Sequence, residues 1–346
     1  MFIDAAFDSG NIEVVDATDP SGVRLRIRKD AGGAFYQWFH FRVVGMRGRP
    51  CTFHIENAGG ASYPRGWDGY RAVATTDHED YVRVDTDIHD GVLTIRHTPT
   101  TDATWYSYFA PYSWARHQRL VGRAAAARGV RLSVLGHTLD GRTLDHLQVG
   151  EPAPGKPVWW VIARQHPGES MAEWFMEGLL GRLLDDEDPL GRVLRDRAVW
   201  HIVPNMNPDG SVRGHLRTNA AGANLNREWH EPTLERSPEV KLVRDAMDRA
   251  GVDVCLDVHG DEALPYNFIA AAEGIPGYTA AQAEALDTFC DALVRASPDF
   301  QRAHGYPTTP AGEANMTMCT NAVAARFDCL AMTLEMPFKD NADLPD

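Results

Sequence analysis

Near residue 120 the hydrophobic period of this chain changes, and that change constrains its fold more than any other feature. Upstream, apolar and polar residues alternate. In the run GVRLRIRKD, Val23, Leu25 and Ile27 alternate with Arg24, Arg26 and Arg28, which is the two-residue period of a strand with one wet face. The runs FYQWFHFRVVGM, CTFHIEN and YVRVDTDIHDGVLTIRHT continue it, and Asp90-Gly91 offers a hairpin turn. Repeated strands with short turns suggest a sandwich or a barrel, and the expectation taken is an N-terminal antiparallel β-sandwich over residues 1–118. Trp38, Trp67, Trp105 and Trp114 are expected in its core or at its junction with the downstream half.

Downstream, apolar strands alternate with helical stretches. RLSVLGHTLDGRTLDHLQVG reads as a hairpin turning at Asp140-Gly141, and PVWWVIARQ as a buried strand. A helix is expected over 170–184, where Ala172, Phe175, Met176, Leu179, Leu180 and Leu183 keep helical spacing. AVWHIVPNMNPDG then gives a strand and loop, PEVKLVRDAMDRAG a helix and VDVCLDVHG a strand. Another helix is expected over 278–296, and CLAMTLEMPF is a late strand. Residues 119–346 therefore read as an α/β domain, an α/β/α arrangement around a mixed sheet, in which ligands gather beyond the strand C-termini.

The remaining bulk features narrow the partners. A net charge of −14 argues against a nucleic-acid surface, which needs clustered cations. No apolar run is long enough for a membrane span, and the opening residues lack the basic-then-apolar pattern of a signal peptide. Cys51, Cys255, Cys290, Cys319 and Cys329 are odd in number and scattered, which predicts free thiols and a cytoplasmic location. Oligomeric state is not legible.

Three strand ends carry chemistry. His166 and Glu169 flank Pro167-Gly168 in a turn between a strand and a helix, and His259 ends a second apolar strand. Two imidazoles and a carboxylate are a ligand set for zinc with one position left open. Glu335 ends a third strand among Leu334, Met336, Pro337 and Phe338. A carboxyl in such surroundings is suited to taking a proton from water and passing it to a leaving amine. The loop RTNAAGANLNREWH adds Arg217, Asn226 and Arg227, whose donors suit an anionic substrate end or a developing oxyanion. Cys255 lies on the face of its strand that carries His259 and is expected as core filling, the alternative being a fourth ligand of a closed structural site. Asp257 is either a partner that orients a metal-bound histidine or simply a strand residue, and the latter is favoured.

The motifs HPGE, VPNMNPDG, GANLNREW, DVHGDE and TLEMPF, in that order, resemble the zinc carboxypeptidases of the carboxypeptidase A superfamily, and most closely the cytosolic carboxypeptidase subfamily. That subfamily places a β-sandwich before its catalytic domain, and WYSYFAPYSW at 105–114 resembles its interdomain aromatic segment. The resemblance implies one zinc ion per chain on His166, Glu169 and His259, with Glu335 as the catalytic glutamate. It implies Arg217 on the scissile carbonyl, and Asn226 with Arg227 on the terminal carboxylate of a peptide or protein tail.

It also implies a tyrosine that closes over the substrate, for which Tyr266 and Tyr306 are candidates. Relatives typically continue into a helix where this chain has the closing run KDNADLPD. The segment GEANMTMCTNAVAARFDC is expected to line the pocket for the last residue, with few cations before Arg326. Two other readings stand beside the peptidase: a zinc amidohydrolase acting on small N-acyl amino acids, and a non-enzymatic zinc protein whose sandwich binds partners.

Overall fold

The structure is a computed structural model that describes residues 1–344; the last two residues of the closing run lie outside it. The upstream alternation builds two five-stranded sheets. One orders Phe2–Asp4, His40–Val44, Ala103–Ser107, Val73–Thr75 and Val82–Arg83. The other orders Glu13–Asp16, Val23–Arg26, Cys51–Ile55, Val92–His97 and Asp85–His89. Their inner faces share one core, in which Phe41 meets Phe53 edge-on at 5.4 Å and Tyr106 lies 5.0 Å from Phe53. Asp90 and Gly91 both take positive φ in the hairpin between Asp85–His89 and Val92–His97, as a two-residue turn that matches strand twist requires.

One pairing departs from the antiparallel expectation. Val23–Arg26 runs parallel to Cys51–Ile55, because the chain crosses through His40–Val44 of the opposite sheet before returning. Period-2 patterning fixes which face is buried but carries no information on strand direction.

The downstream half is a seven-stranded mixed sheet with helices packed against it. Its order is Val130–His137, Thr143–Val149, Val199–Val203, Val158–Ala163, Val254–Asp261, Leu330–Pro337 and Phe268–Ala271. The four strands from Val199–Val203 to Leu330–Pro337 are parallel neighbours, so the C-terminal ends of Val158–Ala163, Val254–Asp261 and Leu330–Pro337 lie side by side. Ile162 and Val258 are fully buried in this sheet, each contributing roughly 1.5–3 kcal/mol by leaving water. Helices Met171–Leu183, Pro238–Ala250 and Ala280–Ala296 occupy the stretches that the periodicity assigns to them.

Helix Trp114–Ala125 departs from the expectation for the junction. Its buried positions His117, Leu120, Val121 and Ala124 have helical spacing, but they come directly after an aromatic run that reads as strand and loop. The helix packs in the downstream core and crosses residue 118. The two domains meet through apolar contacts: Met171, Leu216 and Phe338 join the sandwich core, and Phe338 stacks on Tyr108 at 4.7 Å. Arg71 and Arg83 close the edge of this junction on Asp340 at 2.8 and 3.0 Å.

Candidate active site

The turn after strand Val158–Ala163 is held from beneath by a buried arginine. Arg164 takes a φ of +59°, unusual for a residue with a side chain. Its Nε donates to Pro167 O at 2.9 Å, while Nη1 donates to Tyr112 O at 2.8 Å and pairs with Glu173. Glu173 also accepts from Asn205 Nδ2 at 2.8 Å and faces His117 Nδ1 at 2.8 Å. A buried ion pair with all its hydrogen bonds made costs little net and fixes geometry. Gly168 lets a second loop approach: its N–H donates to Leu216 O at 2.9 Å, and a Cβ there would stand 3.0 Å from that oxygen.

On this turn His166 and Glu169 point at His259 from the neighbouring strand Val254–Asp261. His166 Nδ1 lies 2.7 Å from Glu169 Oε1, His259 Nδ1 lies 2.8 Å from Glu169 Oε2, and the two ring nitrogens are 3.1 Å apart. All three residues are buried. Ligands of tetrahedral zinc with bonds near 2.1 Å stand about 3.4 Å from one another, so a small outward shift of these three groups would seat that ion.

The protons on the far nitrogens complete the test of fit. His166 Nε2 faces Asn224 Oδ1 at 3.0 Å, and His259 Nε2 faces Asp257 Oδ2 at 2.9 Å. Both partners are acceptors, so with an ion bound each Nε2 would keep its hydrogen and each Nδ1 would turn a lone pair inward. Gly260 N–H donates to Glu169 Oε2 at 3.1 Å and orients the carboxylate. Burial, with Arg217 nearby, pushes His166 down to about 3 and keeps it neutral. Burial also opposes a proton on His259, but Asp257 and Glu169 overcome it and raise that group well above its usual range. The set therefore attracts positive charge, and two imidazoles with one carboxylate favour zinc over a hard cation.

Glu335 stands beside this centre on Leu330–Pro337, paired in register with His259. It is buried, and its Oε2 has no partner among the described residues. Burial, reinforced by Glu169, Asp261 and Glu262 against the pull of His259, holds its carboxyl well above the ordinary carboxylate range. Glu262 is likewise pushed up to about 8 by burial, then by Glu169. Tyr306 is half exposed and donates its phenol proton to Asp261 Oδ2 at 2.5 Å, whereas Tyr266 stacks on His304 at 4.0 Å. Of the two tyrosines, Tyr306 is the one whose hydroxyl is directed to the acidic rim.

Arg217 reaches the centre with Nη1 3.7 Å from Glu169 Oε1, and its guanidinium lies over the ring of Tyr63 at 5.3 Å. Asn226 and Arg227 sit in the short turn Leu225–Arg227, directly after Asn224. Asn226 Oδ1 accepts from Cys319 N at 2.8 Å, which faces the amide's NH₂ group away from that contact. Arg227 is exposed and has no carboxylate partner among the described residues, although carboxylates outnumber cations in the chain.

The seven residues singled out from sequence thus gather at one end of the parallel strands. Arg326 does not join them: it pairs with Asp248 at 2.6 and 2.8 Å on the helix Cys319–Phe327. Cys255 lies in the core, as expected. Asp257 corrects the reading as an ordinary strand residue. It orients His259, and its position two residues earlier on the same strand face is the available signal. Sequence reasoning misses Asn224 and Gln165; Gln165 bridges Asp257 and Trp229 Nε1 at 2.5 and 2.8 Å.

Comparison with known proteins agrees with this arrangement. Residues 3–109 match the cytosolic carboxypeptidase N-terminal domain, and residues 123–339 match the zinc carboxypeptidase family. A metallo-carboxypeptidase from Burkholderia cenocepacia superposes with a TM-score of 0.97 at 48% identity, covering 100% of this chain and 92% of that one. A metallo-carboxypeptidase from Pseudomonas aeruginosa, in complex with (2-guanidinoethylmercapto)succinic acid, superposes with a TM-score of 0.96 at 47% identity and the same coverage. Cytosolic carboxypeptidase 4 of Mus musculus is 28% identical over 291 residues, 69% of this chain but 25% of the mouse protein, so the chain spans about a quarter of that relative's length. No helix among the described residues is long and apolar enough to cross a membrane. A sandwich domain set against a parallel-strand edge that gathers His166, Glu169, His259 and Glu335, together with these matches, places the chain in the zinc carboxypeptidase family, in the form that carries the cytosolic carboxypeptidase N-terminal domain.

Proposed function

We propose that this metallocarboxypeptidase removes the C-terminal residue from peptides or protein tails in the cytoplasm, using one zinc ion per chain held by His166, Glu169 and His259. The observation that carries the reading is the pairing of that convergent ligand set with Glu335, a buried carboxyl with an open oxygen one strand away. When bound, the ion supplies Lewis-acid polarisation of water and of the scissile carbonyl.

The chain's own residues do the rest. Arg227, without an internal carboxylate partner, and the amide of Asn226 hold the terminal carboxylate and so set which peptide bond is presented. Arg217 donates to the carbonyl oxygen as negative charge develops there. Glu335 accepts a proton from the attacking water and returns it to the leaving amine. Its buried place beside the ligand set, with one oxygen open among the described residues, suits it to both transfers. The division into a sandwich at 1–118 and a catalytic domain at 119–346 belongs to the same reading, with helix Trp114–Ala125 across the junction.

Zinc-loaded protein and its Glu335→Gln variant, incubated with peptides that differ only in their last residue, test this by mass spectrometry. The expected result is stepwise loss of single C-terminal residues with the native protein alone. Internal cleavage, or equal activity in the variant, contradicts it.

A further inference from the structure

Arg217 is held on its site by the other domain. Its guanidinium meets one carboxylate loosely, Glu169 at 3.7 Å, and Arg217 Nε is buried without a partner among the described residues. A group left free to meet a substrate oxygen has to be fixed from behind, through its backbone and the flat face of its side chain. Both anchors come from the sandwich.

The buried carboxylate of Asp30 takes four hydrogen bonds from the Arg217 loop. Oδ1 accepts from Leu216 N at 2.7 Å, and Oδ2 accepts from Arg217 N at 2.8 Å, Thr218 N at 2.9 Å and Thr218 Oγ1 at 3.0 Å. Three successive backbone amides form a concavity that binds an anion, and here the anion is a side chain from the far end of the chain. Ala31 N–H adds a bond to His215 Nε2 at 3.0 Å, and His215 Nδ1 in turn bonds Thr218 O at 3.0 Å. The two loops meet backbone to backbone at Gly32 and Gly222, where a Cβ on Gly222 would stand 2.5 Å from Gly32 O. The second anchor is Tyr63, over whose ring the guanidinium lies; its backbone is pinned by Gln37 through bonds of 2.8 and 3.1 Å.

We propose that Asp30 is a positioning residue for Arg217, and that with Tyr63 it makes the sandwich domain one working wall of the active site. The proposal rests on the carboxypeptidase reading for the role of Arg217. Asparagine at position 30 must turn its NH₂ toward at least one of the inward-pointing amides, so the loop shifts while the size of the side chain is kept.

The test is a double-mutant cycle in the full-length, zinc-loaded protein: Asp30→Asn, Arg217→Ala and the pair, with kcat and KM on one peptide and metal content measured for each. Displacing a group that acts in the transition state by about 1 Å costs about 10²-fold. Asp30→Asn is therefore expected to lower kcat by about that factor, with KM and zinc content nearly unchanged. In the Arg217→Ala background the same substitution should cost less than about threefold.

An equal loss in both backgrounds indicates general damage and overturns the proposal, as does full activity in Asp30→Asn. Tyr63→Leu removes only the ring and provides a second cycle with the same expectation should Asp30→Asn not fold. If the native protein cleaves no peptide, the carboxypeptidase reading fails, and the clamp is judged by crystallography of Asp30→Asn. There, an Arg217 guanidinium displaced from Tyr63 supports the clamp, and an unmoved one overturns it.

Discussion

His259 and Glu335 stand opposite one another on neighbouring parallel strands, paired in register near the ends of Val254–Asp261 and Leu330–Pro337. One faces the ligand set and the other keeps a carboxylate oxygen free beside it. The sheet therefore sets the separation between the proposed ligand set and the proposed proton-transfer group. Replacing Glu335 with Gln keeps the shape and removes the base. Activity is expected to fall by about 10²–10⁴-fold while zinc content stays stoichiometric. Melting temperature should stay close to the native value, because Gln keeps the size of the side chain and Glu335 Oε2 has no partner to lose among the described residues. Parallel assays of turnover, metal and thermal unfolding check all three.

Asp257 sets the tautomer of His259 from 2.9 Å. Partners of metal-bound histidines typically contribute a factor of about 10–100 in affinity. Asp257→Asn is expected to weaken zinc binding by about tenfold, measured by competition with a chromophoric chelator. Unchanged affinity would mean that Asp257 has no part in holding the ion.

Arg227 is exposed and unpaired among the described residues, which suits a recognition group rather than a structural one. Arg227→Met should raise KM by about 10²-fold with a much smaller change in kcat, since an interaction made equally in ground and transition states appears in KM. On a C-terminally amidated peptide the native and variant proteins should be equally poor.

The network beneath the HPGE turn predicts a pH effect on stability. Burial opposes a charge on His117, but Asp145 and Glu173 outweigh it and lift the imidazole to about 9. A proton held more tightly in the folded state stabilises it fully below the unfolded value of about 6.5 and progressively less as pH rises through about 9. The contribution is on the order of 3 kcal/mol at most. Urea denaturation from about pH 6 to about pH 10 should show falling stability in the native protein and a flatter profile in His117→Gln. Identical slopes would rule out the charged His117.

What is legible in the sequence, and what is not, has a physical pattern. His259 and Glu335 are readable because each lies near the end of an apolar strand, and His166 and Glu169 because they share the turn that follows one, where a polar group has no packing role. Strands such as Val254–Asp261 are readable because their apolar runs are bounded by turn residues. Partners brought together by strand order are not readable: the parallel pairing of Val23–Arg26 with Cys51–Ile55, the reach of Asp30 to Arg217, and Asn224 behind His166. Helix Trp114–Ala125 escapes because the aromatic run before it has strand character and its own apolar face is short.

The central claim is that the free carboxylate of the last residue directs a single hydrolytic event at the zinc centre. The most direct test compares one peptide with its C-terminal amide under identical conditions, with zinc-loaded protein, tracking products by mass. The predicted result is release of the last residue from the free acid and a rate at least about 10²-fold lower on the amide. Equal rates on both peptides, or release of anything other than a terminal residue, would contradict it.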